Sequence, residues 1–78
     1  MIPRSKKLVI TFYTTTDAIA MESICKARHA DGRMIPVPGS ISAGCGLAWC
    51  AATQSRAALE ALMQESGIAF QQMHECLV

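Results

Sequence analysis

The residue whose surroundings most suggest chemistry is Cys45, which lies between two glycines. Gly44 and Gly46 have no side chains, so backbone N–H groups can approach the sulfur and the chain can adopt unusual φ/ψ angles. The thiolate is the nucleophilic form of cysteine, and neighbouring N–H dipoles stabilise its negative charge. The sequence therefore indicates a reactive or ligand-binding thiol. The alternative is a tight loop in which cysteine is only a small apolar residue.

Cys45 belongs to an irregular stretch, residues 36–46, which holds two of the three prolines and three of the five glycines. Pro36 lies near the end of a predicted short strand, where it limits ladder hydrogen bonds and favours a position at a sheet edge. The hydroxyl of Ser42 can donate a hydrogen bond to sulfur. The sequence places no histidine or lysine beside Cys45 as a base, so the loop favours a nucleophilic or sulfur-accepting thiol over hydrolysis.

The other cysteines, Cys25, Cys50 and Cys76, are expected to serve mainly in packing. A disulfide framework is typical of exported chains, and the sequence shows no such context. The spacing of Cys45 and Cys50 does not fit a zinc site, so we expect no metal and no cofactor. A redox pair of these two is also disfavoured, because a strand holds residues five apart beyond the ~7 Å Cα limit for a disulfide.

Size and composition exclude several classes of protein. A chain of 78 residues predicts one domain, residues 1–78, with a loose N-terminal segment at 1–7. A net charge of +1 and only four aromatic residues argue against nucleic-acid binding. No apolar stretch is long enough to span a membrane, and no secretory leader is visible, so we expect a cytoplasmic protein.

Hydrophobic periodicity predicts the order strand, helix, strand, strand, helix, strand. The predicted strands are 8–13, 33–37, 47–52 and 70–78, and the predicted helices are 18–30 and 56–65. Thr16 is expected to cap the first helix, with Asp17 in its first turn, and Ser55 to cap the second. Gly32 is expected to end the first helix in a left-handed conformation.

This order is typical of a ferredoxin-like α+β fold, a four-stranded antiparallel sheet with two helices on one face. Right-handed crossovers place the first and third strands in the centre. The loop that contains Cys45 would then share one end of the sheet with the start of the first helix. We therefore expect Thr15 and Thr16, with the amide groups of that helix start, to face the thiolate or its ligand.

The other face of the predicted sheet has no helix to cover it. If Val9, Tyr13, Leu47 or Trp49 points outward there, an apolar patch results. Pairing of two copies through this patch would bury it and produce a symmetric homodimer.

The proline-to-cysteine stretch contains a recognisable motif: Pro36-Val37-Pro38, then Ile41-Ser42, then Cys45-Gly46. This motif resembles that of a family of small bacterial domains described as selenium/sulfur-carrier-protein-like. The resemblance implies that Cys45 is the carrier thiol, in a loop shaped by Pro36, Pro38, Ser42 and Gly46. It also implies partner proteins that donate and accept sulfur or selenium.

Two functional hypotheses follow from the sequence. In the first, Cys45 accepts sulfur or selenium from a donor, as a persulfide or selenide, and passes it on. In the second, the chain is a non-catalytic binding or assembly module that dimerises through the open sheet face, and Cys45 is dispensable.

Overall fold

The computed structural model describes residues 5–39, 41 and 45–77. Within these ranges the chain forms, in order, β1 (Lys6–Thr11), α1 (Thr15–Arg28), β2 (Arg33–Pro36), β3 (Leu47–Ala52), α2 (Arg56–Ser66) and β4 (Gln72–Leu77). A short 3₁₀ turn, Thr53–Ser55, leads into α2. The predicted order of elements is confirmed, and the bounds of β3 are those the sequence predicts.

The strands form an antiparallel sheet in the order β2-β3-β1-β4. This order confirms the ferredoxin-like α+β prediction, with β1 and β3 in the centre. β2, which ends in Pro36, and β4 are therefore the edge strands. Proline is tolerated at an edge because its missing N–H need not interrupt the ladder.

Both helices pack on the same face of the sheet. Alternate residues of the central strands point toward them, because successive side chains of a strand face opposite sides. The buried cluster joins Leu8, Ile10 and Phe12 of the β1 region and Trp49 and Ala51 of β3 to Ala18, Met21, Cys25, Leu59, Leu62, Met63 and Ile68. Cys25 is 2% exposed, as the helical pattern predicts.

The first strand and the first helix both start earlier than predicted. Lys6 pairs with Leu77, so Lys6 and Lys7 belong to β1 and not to a loose segment. The N-cap of α1 is Thr14, not Thr16, because the Thr14 hydroxyl accepts a hydrogen bond from the N–H of Asp17 at 3.2 Å. Asp17 lies in the first helical turn, as predicted.

The end of α1 also differs from the prediction. His29, not Gly32, is the residue that ends α1 in a left-handed conformation, with φ of 54°. The N–H of Ala30 then donates to the carbonyl of Cys25 at 2.8 Å, the pattern of a Schellman motif. α2 ends in the same way at Gly67, whose φ is 70°.

Gly32 is needed for a different reason, a close approach to β3. Its φ is 118°, and a Cβ on it would lie 2.6 Å from the carbonyl oxygen of Cys50 and would also collide with the Trp49 indole. Only glycine lets the backbone between α1 and β2 pass this close.

Asp31, beside that glycine, links three parts of the fold. Its carbonyl accepts a hydrogen bond from Trp49 Nε1 at 3.0 Å. Its carboxylate Oδ2 accepts from the N–H of Ala52 and from the hydroxyl of Ser55, each at 2.9 Å. Ser55 precedes α2 as predicted, but its side chain bonds Asp31 and makes no cap hydrogen bond to the helix.

We expect Asp31→Asn to lower the free energy of unfolding at neutral pH by about 1 kcal/mol, because it weakens charge-assisted hydrogen bonds. The bonds from Ala52 and Ser55 hold the pKa of Asp31 below its usual range. A carboxyl whose pKa is lower folded than unfolded stabilises the fold at neutral pH, and this contribution is lost as pH falls through the folded-state pKa. The variant should therefore lose less stability in acid than the natural protein.

Urea unfolding over a series of pH values measures this effect. Glu22→Gln, on the surface of α1, removes one negative charge without touching the Asp31 bonds and is the control. The same dependence on pH in the Asp31 variant and the natural protein would contradict the role of the carboxylate.

Candidate functional site

Cys45 lies in the connection between β2 and β3, two residues before β3 begins. The N–H of Val37 donates to the carbonyl of Gly46 at 3.0 Å, which extends the β2–β3 ladder by one step. Gly46 has φ of 78°, a left-handed conformation that favours glycine. The Cys45 side chain is half-buried and packs against the edge of the core.

The sulfur of Cys45 makes two hydrogen bonds with the backbone of one residue. The N–H of Leu47 donates to Sγ at 3.4 Å, and Sγ donates to the Leu47 carbonyl at 3.3 Å. A neutral thiol satisfies both, since S–H is a weak donor and sulfur a weak acceptor. An anionic sulfur keeps only the N–H as a favourable partner. Both contacts hold the Cys45 side chain against the backbone of Leu47.

The start of α1 lies at the same end of the sheet as Cys45. Thr11, the last residue of β1, pairs with Ala48 near the start of β3, and α1 begins at Thr15. Thr15 and Thr16 are exposed in the first helical turn. Among the residues described, the hydrogen bonds of the Cys45 sulfur go to Leu47 and not to either threonine. The Cys45 loop and the start of α1 thus share one end of the sheet, as predicted. Direct contact of the sulfur with Thr15 or Thr16 stays a prediction.

The other predicted loop residues have separate positions. Pro36 is the last residue of β2, and the carbonyl of Pro38 accepts a hydrogen bond from the N–H of Ile41 at 2.9 Å. Both prolines therefore lie where the strand gives way to the loop. Ser42 and Gly44 lie outside the described residues, so the contacts predicted for them with the sulfur stay predictions.

All four cysteines are free, and they differ in accessibility. Cys25 and Cys50 are buried, and burial raises the pKa of the Cys25 thiol. Cys76 is half-buried on β4, and its pKa is raised by burial first and then by the nearby Cys50. In the described ranges no group of three or more His, Cys, Asp or Glu is arranged to hold a metal.

The apolar patch predicted for the open sheet face does not form from the four residues considered. Leu47 and Trp49 belong to the helix side, and Val9 is fully buried. Tyr13 is 62% exposed. Phe70, which the sequence predicts to begin the last strand, lies before β4 and is 36% exposed. The N–H of Gln71 bonds the carbonyl of Thr11, which places Phe70 beside the end of β1, the end of the sheet that also carries Cys45.

We expect iodoacetamide to modify Cys45 and Cys76 in the native protein well before Cys25 and Cys50. Alkylation needs a thiolate that the reagent can reach, and the last two side chains are buried. Peptide mapping by mass spectrometry after short exposures gives the order, and the urea-unfolded protein is the control in which all four react. Modification of Cys25 or Cys50 as fast as Cys45 would contradict this arrangement.

Comparison with known proteins adds one finding. Residues 7–75 match the model of the family described as Putative Se/S carrier protein-like. The match includes both helices and the Cys45 loop, and it agrees with the resemblance seen in the proline-to-cysteine motif. No curated protein and no solved structure matches the chain. No helix in the described part of the chain has the length and apolarity to cross a bilayer.

Proposed function

Since this chain belongs to the Putative Se/S carrier protein-like family, we propose that it carries sulfur or selenium on the thiol of Cys45. The observation that carries the proposal is the placement of this sulfur: half-buried in the β2–β3 connection, with one backbone N–H directed at it. Cys25 and Cys50 lack this combination because they are buried, and among the described residues Cys76 Sγ receives no backbone N–H of this kind.

The transfer step is an exchange at sulfur. The Cys45 thiolate attacks the terminal sulfur of a persulfide carried by a donor protein, and a new S–S bond forms at Cys45. The S–S bond of the donor breaks, and its electron pair leaves with the donor thiolate. The proton of Cys45 passes to solvent. This step needs no oxidant. Joining free sulfide or selenide to a thiol would instead require an oxidant to accept two electrons from the pair. The donor is therefore a persulfide or its selenium counterpart.

Local groups support this role for the loop. The N–H of Leu47 can stabilise the anionic sulfur once the side chain has turned from the Leu47 carbonyl. The terminal sulfur of a persulfide is also anionic, and the amide groups at Thr15 and Thr16 suit a negative group at the start of α1. Gly46 and the two prolines shape the backbone that permits this movement.

Donor and acceptor proteins would contact this end of the sheet. Tyr13 and Phe70 expose apolar rings there, and aromatic residues are enriched in protein interfaces. Such a carrier would work in the cytoplasm, where thiols stay reduced, and the four free cysteines agree with that.

The homodimer that the open sheet face predicts is a separate proposal. Val9 on that face is fully buried and Tyr13 is 62% exposed, so of these two residues only Tyr13 is accessible to a second copy. Sedimentation equilibrium tests the dimer: a mass of one chain at every concentration would contradict it.

The test of the carrier uses reduced protein with a cysteine desulfurase and free cysteine. Intact mass spectra should show the addition of one sulfur atom to the natural protein, and a thiol reductant should remove it. Cys45→Ser should lose the adduct. Cys76→Ser, which removes the other half-buried thiol, should keep it and is the matched control.

An adduct of equal size on Cys45→Ser would overturn the proposal, as would the absence of any adduct on the natural protein. Urea midpoints close to the natural value for both variants confirm that the loss of the adduct is chemical and not a loss of fold.

A further inference from the structure

An open cleft of about 340 Å³ lies at the end of the sheet opposite Cys45. Lys7 near the start of β1 pairs with Ala52 at the end of β3, and Arg33 is the first residue of β2. The volume is at the lower limit of sites for small molecules, which start near ~300 Å³. Its walls and floor include Lys7, Asp31, Gly32, Arg33, Cys50 and Ala52.

Two cationic side chains flank the floor of this cleft. Arg33 is the cross-strand partner of Cys50, and Lys7 is the cross-strand partner of Ala52. Cross-strand partners project from the same face of a sheet, so both cations lie on one face with the same stretch of β3 between them. Neither forms an ion pair with any residue that the structure describes. The two side chains on the floor, Cys50 and Ala52, are small and leave room between the charges.

The third charged group of the cleft is already engaged. The Asp31 carboxylate accepts hydrogen bonds from Ala52 and Ser55, and these bonds fix the wall of the cleft. Gly32 continues that wall without a side chain. The cleft thus contains one carboxylate, from Asp31, and two basic side chains, from Lys7 and Arg33.

We propose that this cleft binds a small oxyanion group, sulfate or phosphate in shape, between Lys7 and Arg33. A guanidinium binds two oxygens of such a group through parallel N–H bonds, and an ammonium adds a point charge. The strand register holds both cations on one face, on either side of β3, so one anion placed between them can contact both. The site is independent of Cys45, which lies at the other end of the sheet.

The test is a titration of ¹⁵N-labelled protein with sulfate and, separately, with phosphate, at ionic strength held constant with chloride. Saturable shifts are expected at the backbone amides of Gly32, Arg33 and Ala52. Lys7→Gln/Arg33→Gln should weaken binding by about tenfold or more, which corresponds to ~1.4 kcal/mol. Lys26→Gln/Arg56→Gln removes the same two charges from the helices and should bind as the natural protein does.

Each outcome decides the proposal. Saturation with either anion supports an oxyanion site. A difference in affinity between sulfate and phosphate shows which of the two the site prefers. Equal shifts with chloride alone, equal weakening in the control variant, or the absence of saturation at these three amides would overturn it. If the double variant loses its dispersed spectrum, the single variants Lys7→Gln and Arg33→Gln replace it, and the comparison with chloride on the natural protein stands regardless.

Discussion

The arrangement of this protein depends on the fit of Asp31 and Gly32 against the end of β3. The indole of Trp49 is fixed by its hydrogen bond to the Asp31 carbonyl, and the missing side chain of Gly32 lets the backbone lie against the ring. This contact sets where α1 meets β3 and where β2 begins. The β2–β3 pairing then determines where both ends of the Cys45 loop leave the sheet. The same two residues form a wall of the cleft at the opposite end, so one junction positions both candidate sites.

The sequence predicted features that depend on local pattern. The apolar run at residues 47–52 predicted β3 with its correct bounds, and the element order with right-handed crossovers predicted which strands lie in the centre. The N-cap was wrong because Thr14 and Thr16 are equally suitable by type, and the choice depends on where β1 ends. The role predicted for Gly32 was wrong because a glycine after a helix usually ends that helix. Here glycine is needed because a side chain would collide with Trp49, which is distant in sequence.

In the candidate sites too, the features that depend on the path of the chain could not be predicted from the sequence. Flanking glycines identified Cys45, but its hydrogen bonds to Leu47 depend on the path of the loop and cannot be predicted from composition. Lys7 and Arg33 are unremarkable charged residues in the sequence. Only the strand register, which pairs one with Ala52 and the other with Cys50, brings them onto one face.

The position of Pro36 has a consequence for how the molecule meets other chains. Val37 and Gly46 form a hydrogen-bonded pair, so the next pair, Pro36 and Leu47, is a non-hydrogen-bonded one. The nitrogen of Pro36 therefore faces away from β3, where it leaves the internal ladder intact and offers no donor to a newcomer. A charged Arg33 at the other end of this short strand adds to the effect. Strand addition along β2, and with it the growth of an aggregate from that side, is discouraged by the same proline that begins the Cys45 loop.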